Sequence, residues 1–152
     1  SRDMAQVYVL GFLFSSDFSS VCLIEKQKPK WQQGRYNGVG GKVESGEAID
    51  VAMAREFTEE TGVSLDAAAW KPYASLKGAD ASDWRVHIFF AVDDRINDVR
   101  TMEEENVIVT SSKAVLLGEF KTMGNVPWLV SMALAVATAK ESCSMFEIQE
   151  IS

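Results

Sequence analysis

Gly41-Lys-Val-Glu-Ser-Gly-Glu47-Ala-Ile-Asp-Val-Ala-Met-Ala-Arg55-Glu56-Phe57-Thr-Glu59-Glu60-Thr-Gly62-Val63 is the stretch from which the rest of this 152-residue chain can be read. Ile49, Ala52, Met53 and Phe57 recur at three- and four-residue spacing, which predicts a helix over Glu47–Thr61 with one apolar stripe, and Gly62 is a suitable stop. Glu56, Glu59 and Glu60 stand at i, i+3 and i+4, so they share one face, with Arg55 beside them. Like charges so placed cost an isolated helix roughly 0.2–0.5 kcal/mol per pair, and the negative end of the helix dipole adds a similar penalty. Stability alone does not favour this arrangement. A hard divalent cation, Mg2+ or Mn2+, removes the conflict, because it takes oxygen ligands and keeps positions for water and phosphate oxygens. The plainer alternative is a solvated acidic face.

The spacing is Gly, five residues, Glu, seven residues, Arg-Glu, an apolar residue, any residue, Glu-Glu, any residue, Gly and an apolar residue. It resembles the Nudix signature at every required position, and average residue frequencies put a chance match at all of them on the order of one in ten million. The resemblance implies an α/β/α sandwich, a mixed central sheet between helices. It also implies a hydrolase that cleaves the phosphoanhydride of a nucleoside-diphosphate-linked substrate. By the same resemblance Glu56, Glu59 and Glu60 are metal ligands with the backbone carbonyl of Gly40, Arg55 pairs with Glu47, and Gly41 and Gly62 are structural. The residues agree: a glycine pair lets the backbone approach a metal, and an arginine–carboxylate fork fixes two segments rigidly. Family members commonly add a ligand or base from a distal acidic loop. Met102-Glu-Glu-Glu-Asn106 occupies that place, with Glu105 the first choice, Glu104 the second, and a solvated acidic turn the alternative. The implied chemistry is attack of a metal-activated water on phosphorus, with Glu56, Glu59 or Glu105 accepting its proton.

Outward from this stretch, Gln6–Phe14 and Val21–Glu25 read as two strands of a hairpin, and Lys26–Gly41 as a polar loop. Trp70–Leu76, Arg85–Val92 and Val107–Thr110 are further strands; Val86, Ile88, Phe90 and Val92 line one face of the second. Asn125 can cap a last helix with Pro127 in its first turn and Leu129, Met132, Ala133 and Val136 on its buried face, up to about Lys140. Residues 141–152 receive no assignment. There is no repeat or linker, so 1–152 is expected to form one domain.

Gly34-Arg-Tyr-Asn37-Gly-Val-Gly-Gly-Lys-Val43 is similar to the approach to the box in Nudix enzymes that hydrolyse nucleoside triphosphates, including the oxidised-purine branch, where the residue matching Asn37 contacts the base. Asn37 is therefore the base-binding candidate, or else a turn-forming Asn before Gly. That branch also has paired aspartates before its last helix, and Met123-Gly-Asn-Val-Pro-Trp128 has none. Tyr36, Trp128 and Trp31 can stack on a base or fill core and rim, and Lys42 can meet a phosphate or stay solvated. A (deoxy)nucleoside triphosphate cleaved to monophosphate and pyrophosphate, as in nucleotide-pool sanitation, is the expected reaction. An ADP-sugar, a dinucleoside polyphosphate, capped RNA, or a non-catalytic nucleotide-binding module are the alternatives.

A net charge of −7 argues against a footprint for duplex nucleic acid. The apolar runs are too short to cross a bilayer, and Cys22 and Cys143 match no paired metal spacing; the lack of a signal layout and the sparse cysteines make the cytoplasm the default location. A homodimer is allowed. Gly41-Lys42 is not a P-loop, because Val43 stands where Ser or Thr is required and Tyr36 lies five before Gly41. His87, the one histidine, reads as a packed strand residue.

Overall fold

In a computed structural model, residues 6–78, 83–139 and 146–150 are described. They form an eight-stranded mixed sheet with helices against both faces, an α/β/α sandwich. The strands are β1 (Gln6–Phe14), β2 (Ser20–Glu25), β3 (Tyr36–Asn37), β4 (Val39–Lys42), β5 (Lys71–Lys77), β6 (Trp84–Val92), β7 (Val107–Ser111) and β8 (Phe146–Gln149). The helices are α1 (Ile49–Thr61), α2 (Ser112–Leu116) and α3 (Val126–Thr138).

β1 runs parallel to β6 along its whole length, from Gln6 opposite Trp84 to Phe14 opposite Val92. Side-chain alternation then divides the core. Val9 and Leu13 of β1 with Phe89 and Ala91 of β6 face α1, whose Ala52, Met53 and Phe57 are fully buried. Phe12 and Phe14 with Ile88 and Phe90 face α3, which contributes Val126, Leu129, Val130 and Ala133. Each buried side chain of this size is worth roughly 1.5–3 kcal/mol over its exposed state, so the two clusters fix the sandwich. Phe57 rests on Trp70 with ring centroids 5.0 Å apart, and Tyr73 donates its hydroxyl to the Leu129 carbonyl at 2.8 Å, tying α3 to the sheet.

The expected β1–β2 hairpin forms at one end only. Phe14 pairs with Val21, but from there the strands splay, and Val39–Lys42, expected as loop, pairs antiparallel with Tyr8–Gly11. β3 meanwhile pairs with the far end of β2, Ile24 with Asn37 and Glu25 with Tyr36. Residues 36–42 thus form a wedge between the diverging strands, which uses the polar groups that the splay leaves unpaired. β7 covers the other edge of β2, and β8, drawn from the unassigned residues 141–152, adds in parallel to β5. Three of its side chains are exposed, so it carries little of the apolar periodicity that a sequence reading needs.

α1 begins at Ile49 rather than Glu47 and ends at Gly62, whose φ of 78° and N–H to the Thr58 carbonyl make a left-handed cap. α3 begins where Asn125 suggests, with Pro127 in its first turn, but the Asn125 side chain makes no capping hydrogen bond. The helix ends at Thr138; Lys140 lies outside the described residues.

Candidate active site

The loop and helix quoted at the outset are joined at Arg55. Its Nε and Nη2 donate to the two Glu47 oxygens at 2.7 and 2.9 Å, a bidentate fork, and Nη2 also reaches the Lys42 carbonyl at 3.1 Å. Nη1 spans Glu56 at 3.0 Å and Glu59 at 3.3 Å. One guanidinium therefore ties the end of β4, the loop and two turns of α1. Glu47 is held well below the usual carboxylate range, first by this hydrogen bonding, and the Arg55 proton is bound more tightly still than usual.

The carboxylates differ in their surroundings. Glu59 is half exposed and turned to Arg55. Burial pushes Glu56 up, against the pull of Arg55, with Glu59 and Glu103 adding repulsion. Glu60 is pushed up to about 7, first by burial and then by Glu103, Glu105 and Glu56. Its Oε2 is fully buried with no hydrogen-bond partner, although the residue as a whole keeps intermediate exposure. A buried carboxylate oxygen with no donor is costly unless something positive reaches it.

The distal loop is clamped beside this cluster. Arg100 and Met102 donate backbone N–H groups to the Thr61 and Glu60 carbonyls, and Glu25 N–H donates to the Asn106 carbonyl at 2.8 Å. Glu105 is 14% exposed, accepts the Gln27 N–H at 2.8 Å and lies 3.5 Å from Lys26 Nζ. Glu103, rather than Glu104, joins it in raising Glu60. Among the described residues no three His, Cys, Asp or Glu groups are drawn close enough to form a ready metal site. Glu56 and Glu59 are both engaged by Arg55. The donor set still fits a hard cation, with the orphaned Glu60 oxygen as the clearest sign.

Gly40 and Gly41 bring the wedge against both β1 and α1. A Cβ at Gly40 would overlap the Val9 carbonyl, and one at Gly41 would overlap the Glu56 carboxylate. On the other side of this backbone opens a cavity of about 630 Å³, lined by Lys26, Trp31, Asn37, Gly38, Gly40 and Gly41 together with Trp84, Met123, Asn125 and Glu150. That is the size of a nucleotide site.

A family model of the NUDIX domain matches residues 4–125. The chain belongs to the Nudix family. A relative, the mouse (Mus musculus) "Oxidized purine nucleoside triphosphate hydrolase", is 36% identical over 84 residues, 55% of this chain and 53% of that protein. The match thus spans about half the length of this curated relative. The crystal structure of the MutT protein from Bacillus halodurans superposes with a TM-score of 0.65 at 20% identity, covering 95% of this chain and 89% of that one. The Nudix hydrolase from Nitrosomonas europaea superposes with 0.69 at 12% identity, covering 99% and 82%. At such identities the two structures speak for the shared fold, which agrees with the mixed sheet and flanking helices.

Within this Nudix chain, the expected site residues do not all come together. Glu56, Glu60 and Glu105 gather with Glu103 around one end of α1, Glu59 sits beside them on Arg55, and Gly40 and Gly41 form the partition to the cavity. Asn37 and Trp31 line the cavity; Asn37 Oδ1 accepts the Gly38 N–H at 2.8 Å, which leaves its NH2 to donate. Lys42 lies elsewhere, on a second cavity of about 730 Å³ with Ser45, Arg55 and Glu56. Tyr36 packs edge-on to Phe120 at 5.7 Å, and Trp128 stands 38% exposed on α3; neither is among the residues lining the nucleotide-sized cavity. Trp84 on β6, Met123 and Asn125 before α3, and Glu150 after β8 line the same cavity, a convergence that no local spacing announces. His87 is half-buried in β6, and burial, then Arg85, lower its proton affinity. Among the described residues no helix is long and apolar enough to cross a membrane.

Proposed function

We propose that the protein hydrolyses a (deoxy)nucleoside triphosphate to the monophosphate and pyrophosphate with Mg2+ or Mn2+, removing unwanted nucleotides from the pool. The observation that carries this reading is adjacency: Gly41 abuts the Glu56 carboxylate and, with Gly40, lines a nucleotide-sized cavity. The mouse relative's printed activity supports the substrate class.

Glu56, Glu59, Glu60 and Glu105, with the Gly40 carbonyl, would hold the cation, which supplies positive charge to the phosphate oxygens and lowers the proton affinity of a water. The chain's own part is to place the substrate and take a proton. Water oxygen forms a bond to phosphorus, the phosphoanhydride P–O bond breaks with its electron pair going to the departing pyrophosphate, and a glutamate of the set, Glu56, Glu59 or Glu105, accepts the water proton. Arg55 positions Glu56 and Glu59, and Asn37 donates to the base. Lys42, which lines the neighbouring cavity with Glu56, would meet the departing phosphates.

The test is a screen of nucleoside triphosphates, an ADP-sugar and a dinucleoside polyphosphate, with and without Mg2+, with products separated by chromatography. Metal-dependent release of pyrophosphate from a triphosphate supports the reading. Preferred cleavage of the ADP-sugar or dinucleoside compound refutes the substrate class, and no turnover of any of them refutes the activity.

A further inference from the structure

Lys26 belongs to two places at once. Among the described residues it is the one cation that lines the nucleotide-sized cavity, and its Nζ lies 3.5 Å from Oε2 of Glu105 in the carboxylate cluster. The pair is largely sheltered, with the two side chains 22% and 14% exposed. Backbone contacts fix the segment that carries it. β2 ends at Glu25, whose N–H donates to the Asn106 carbonyl at 2.8 Å and whose Oε1 accepts from the Asn106 side chain at 3.1 Å, while the Lys26 N–H donates to the Arg35 carbonyl at 2.8 Å. Glu105 has a second tether, because the same Oε2 accepts the Gln27 N–H at 2.8 Å. It therefore stays in place if the ammonium lets go. The charge of Lys26 also opposes the burial and repulsion that raise Glu60.

A phosphorylated ligand in this cavity meets a single ammonium, and that ammonium is already paired. A phosphate carries more charge than a carboxylate and offers more acceptor oxygens, so it competes for the same donor. We infer that Lys26 is a positioning residue that couples the cavity to the cluster: a phosphate bound in the cavity takes over its ammonium, and Glu105, still held by Gln27, is released to the cation. This rests on the proposed nucleotide substrate and deepens it by naming the residue that makes nucleotide and cation bind cooperatively. The ammonium paired with Glu105 repels a cation approaching that carboxylate, and a sheltered site screens the repulsion poorly. Transfer of the ammonium to a phosphate both removes that competition and leaves Glu105 as a free anionic ligand. By linkage, the cation favours the phosphate by the same factor as the phosphate favours the cation.

The experiment measures Mn2+ binding by calorimetry with no nucleotide, with guanosine and with GMP, and thermal melts confirm that each variant folds. The proteins are the wild type, Lys26→Met, Lys26→Arg and Lys28→Met, the last removing an exposed charge two residues away. In the wild type GMP should tighten Mn2+ binding about tenfold and guanosine should not. Lys26→Met should bind Mn2+ alone about tenfold more tightly than the wild type and gain little from GMP, while Lys26→Arg and Lys28→Met should keep the wild-type response. If Lys26→Met does not fold, Glu105→Gln decides: with the ammonium freed, it should bind GMP without metal about tenfold more tightly than the wild type, and equal affinity overturns the inference. An equal gain from GMP in the wild type and Lys26→Met would also overturn it. So would a Lys28→Met effect as large as that of Lys26→Met, a guanosine effect equal to that of GMP, or no binding of GMP. If no triphosphate is turned over but GMP and Mn2+ remain coupled through Lys26, the proposed reaction falls and the coupling stands.

Discussion

Replacing Glu60 by glutamine removes a charge and keeps the shape, so it isolates what the buried carboxylate costs the fold. Burial, then Glu103, Glu105 and Glu56, move its proton affinity from 4.5 to about 7. At 1.36 kcal/mol per pH unit that difference amounts to about 3.4 kcal/mol as a ceiling. One oxygen is sealed but the residue is partly exposed, so solvent screening reduces the realistic figure to about 1–2 kcal/mol. The sign follows from proton counting. Between 4.5 and 7 the folded state holds the proton more than the unfolded chain does, so this contribution is complete below 4.5 and is lost as pH rises through 7. In chelator, Glu60→Gln should therefore match the wild type at about pH 5 and exceed it by about 1–2 kcal/mol at about pH 8 in urea denaturation. Saturating Mg2+ should reverse the order at the higher pH. A ligand at a hundred times its Kd stabilises a folded protein by about 2.7 kcal/mol, and the glutamine variant lacks one ligand for that gain. A glutamine variant less stable than the wild type in chelator at about pH 8, or a gap that does not change with pH, would refute the reasoning.

Arg55→Ala leaves Glu47 and Glu56, 12% and 13% exposed, without their partner; it should cost about 2 kcal/mol in urea denaturation and abolish turnover. Arg55→Lys keeps the charge but not the fork and should lower kcat about a hundredfold, measured by pyrophosphate release, with a smaller loss of stability. Gly41→Ala puts a methyl group where the Glu56 carboxylate lies, so kcat should fall about a hundredfold while the melting temperature changes little, because a flexible side-chain end can give way. Cys22 is fully buried with its thiol pushed up to about 12, so it should resist alkylation at neutral pH until denaturant is added, followed by intact mass.

The parts of the molecule legible in the sequence are those whose signal is local. α1 shows its buried stripe at helical spacing and its stop at Gly62, and the pairing of Arg55 with Glu47 spans a single loop-to-helix connection. Strands β5, β6 and β7 announce themselves within a residue or two by alternation and β-branched content. What escapes has non-local causes. Val39–Lys42 becomes a strand because β1 and β2 splay and need a partner, a property of the sheet and not of Val-Gly-Gly-Lys. Asn125 has the composition of a cap and is held in the cavity wall instead, and Glu103 faces Glu60 because the loop is pinned to α1 at Arg100 and Met102. α2 is a five-residue helix begun by Ser111, whose Oγ accepts the Ala114 N–H, and is too short to show a period.

The wedge at residues 36–42 explains how one sequence can vary its substrate and keep its chemistry. Asn37 and Gly38 line the cavity, Gly40 pairs with Leu10, Gly41 abuts Glu56, and the Lys42 carbonyl holds Arg55. The proposed base-binding group and the carboxylates are thus spaced by a few residues of strand backbone, which resists stretching far better than a pair of side chains does. Residues arriving from elsewhere, Trp84 on β6, Asn125 before α3 and Glu150 after β8, can change without moving that spacing. Changes at Gly40 and Gly41 should therefore alter turnover for every nucleotide.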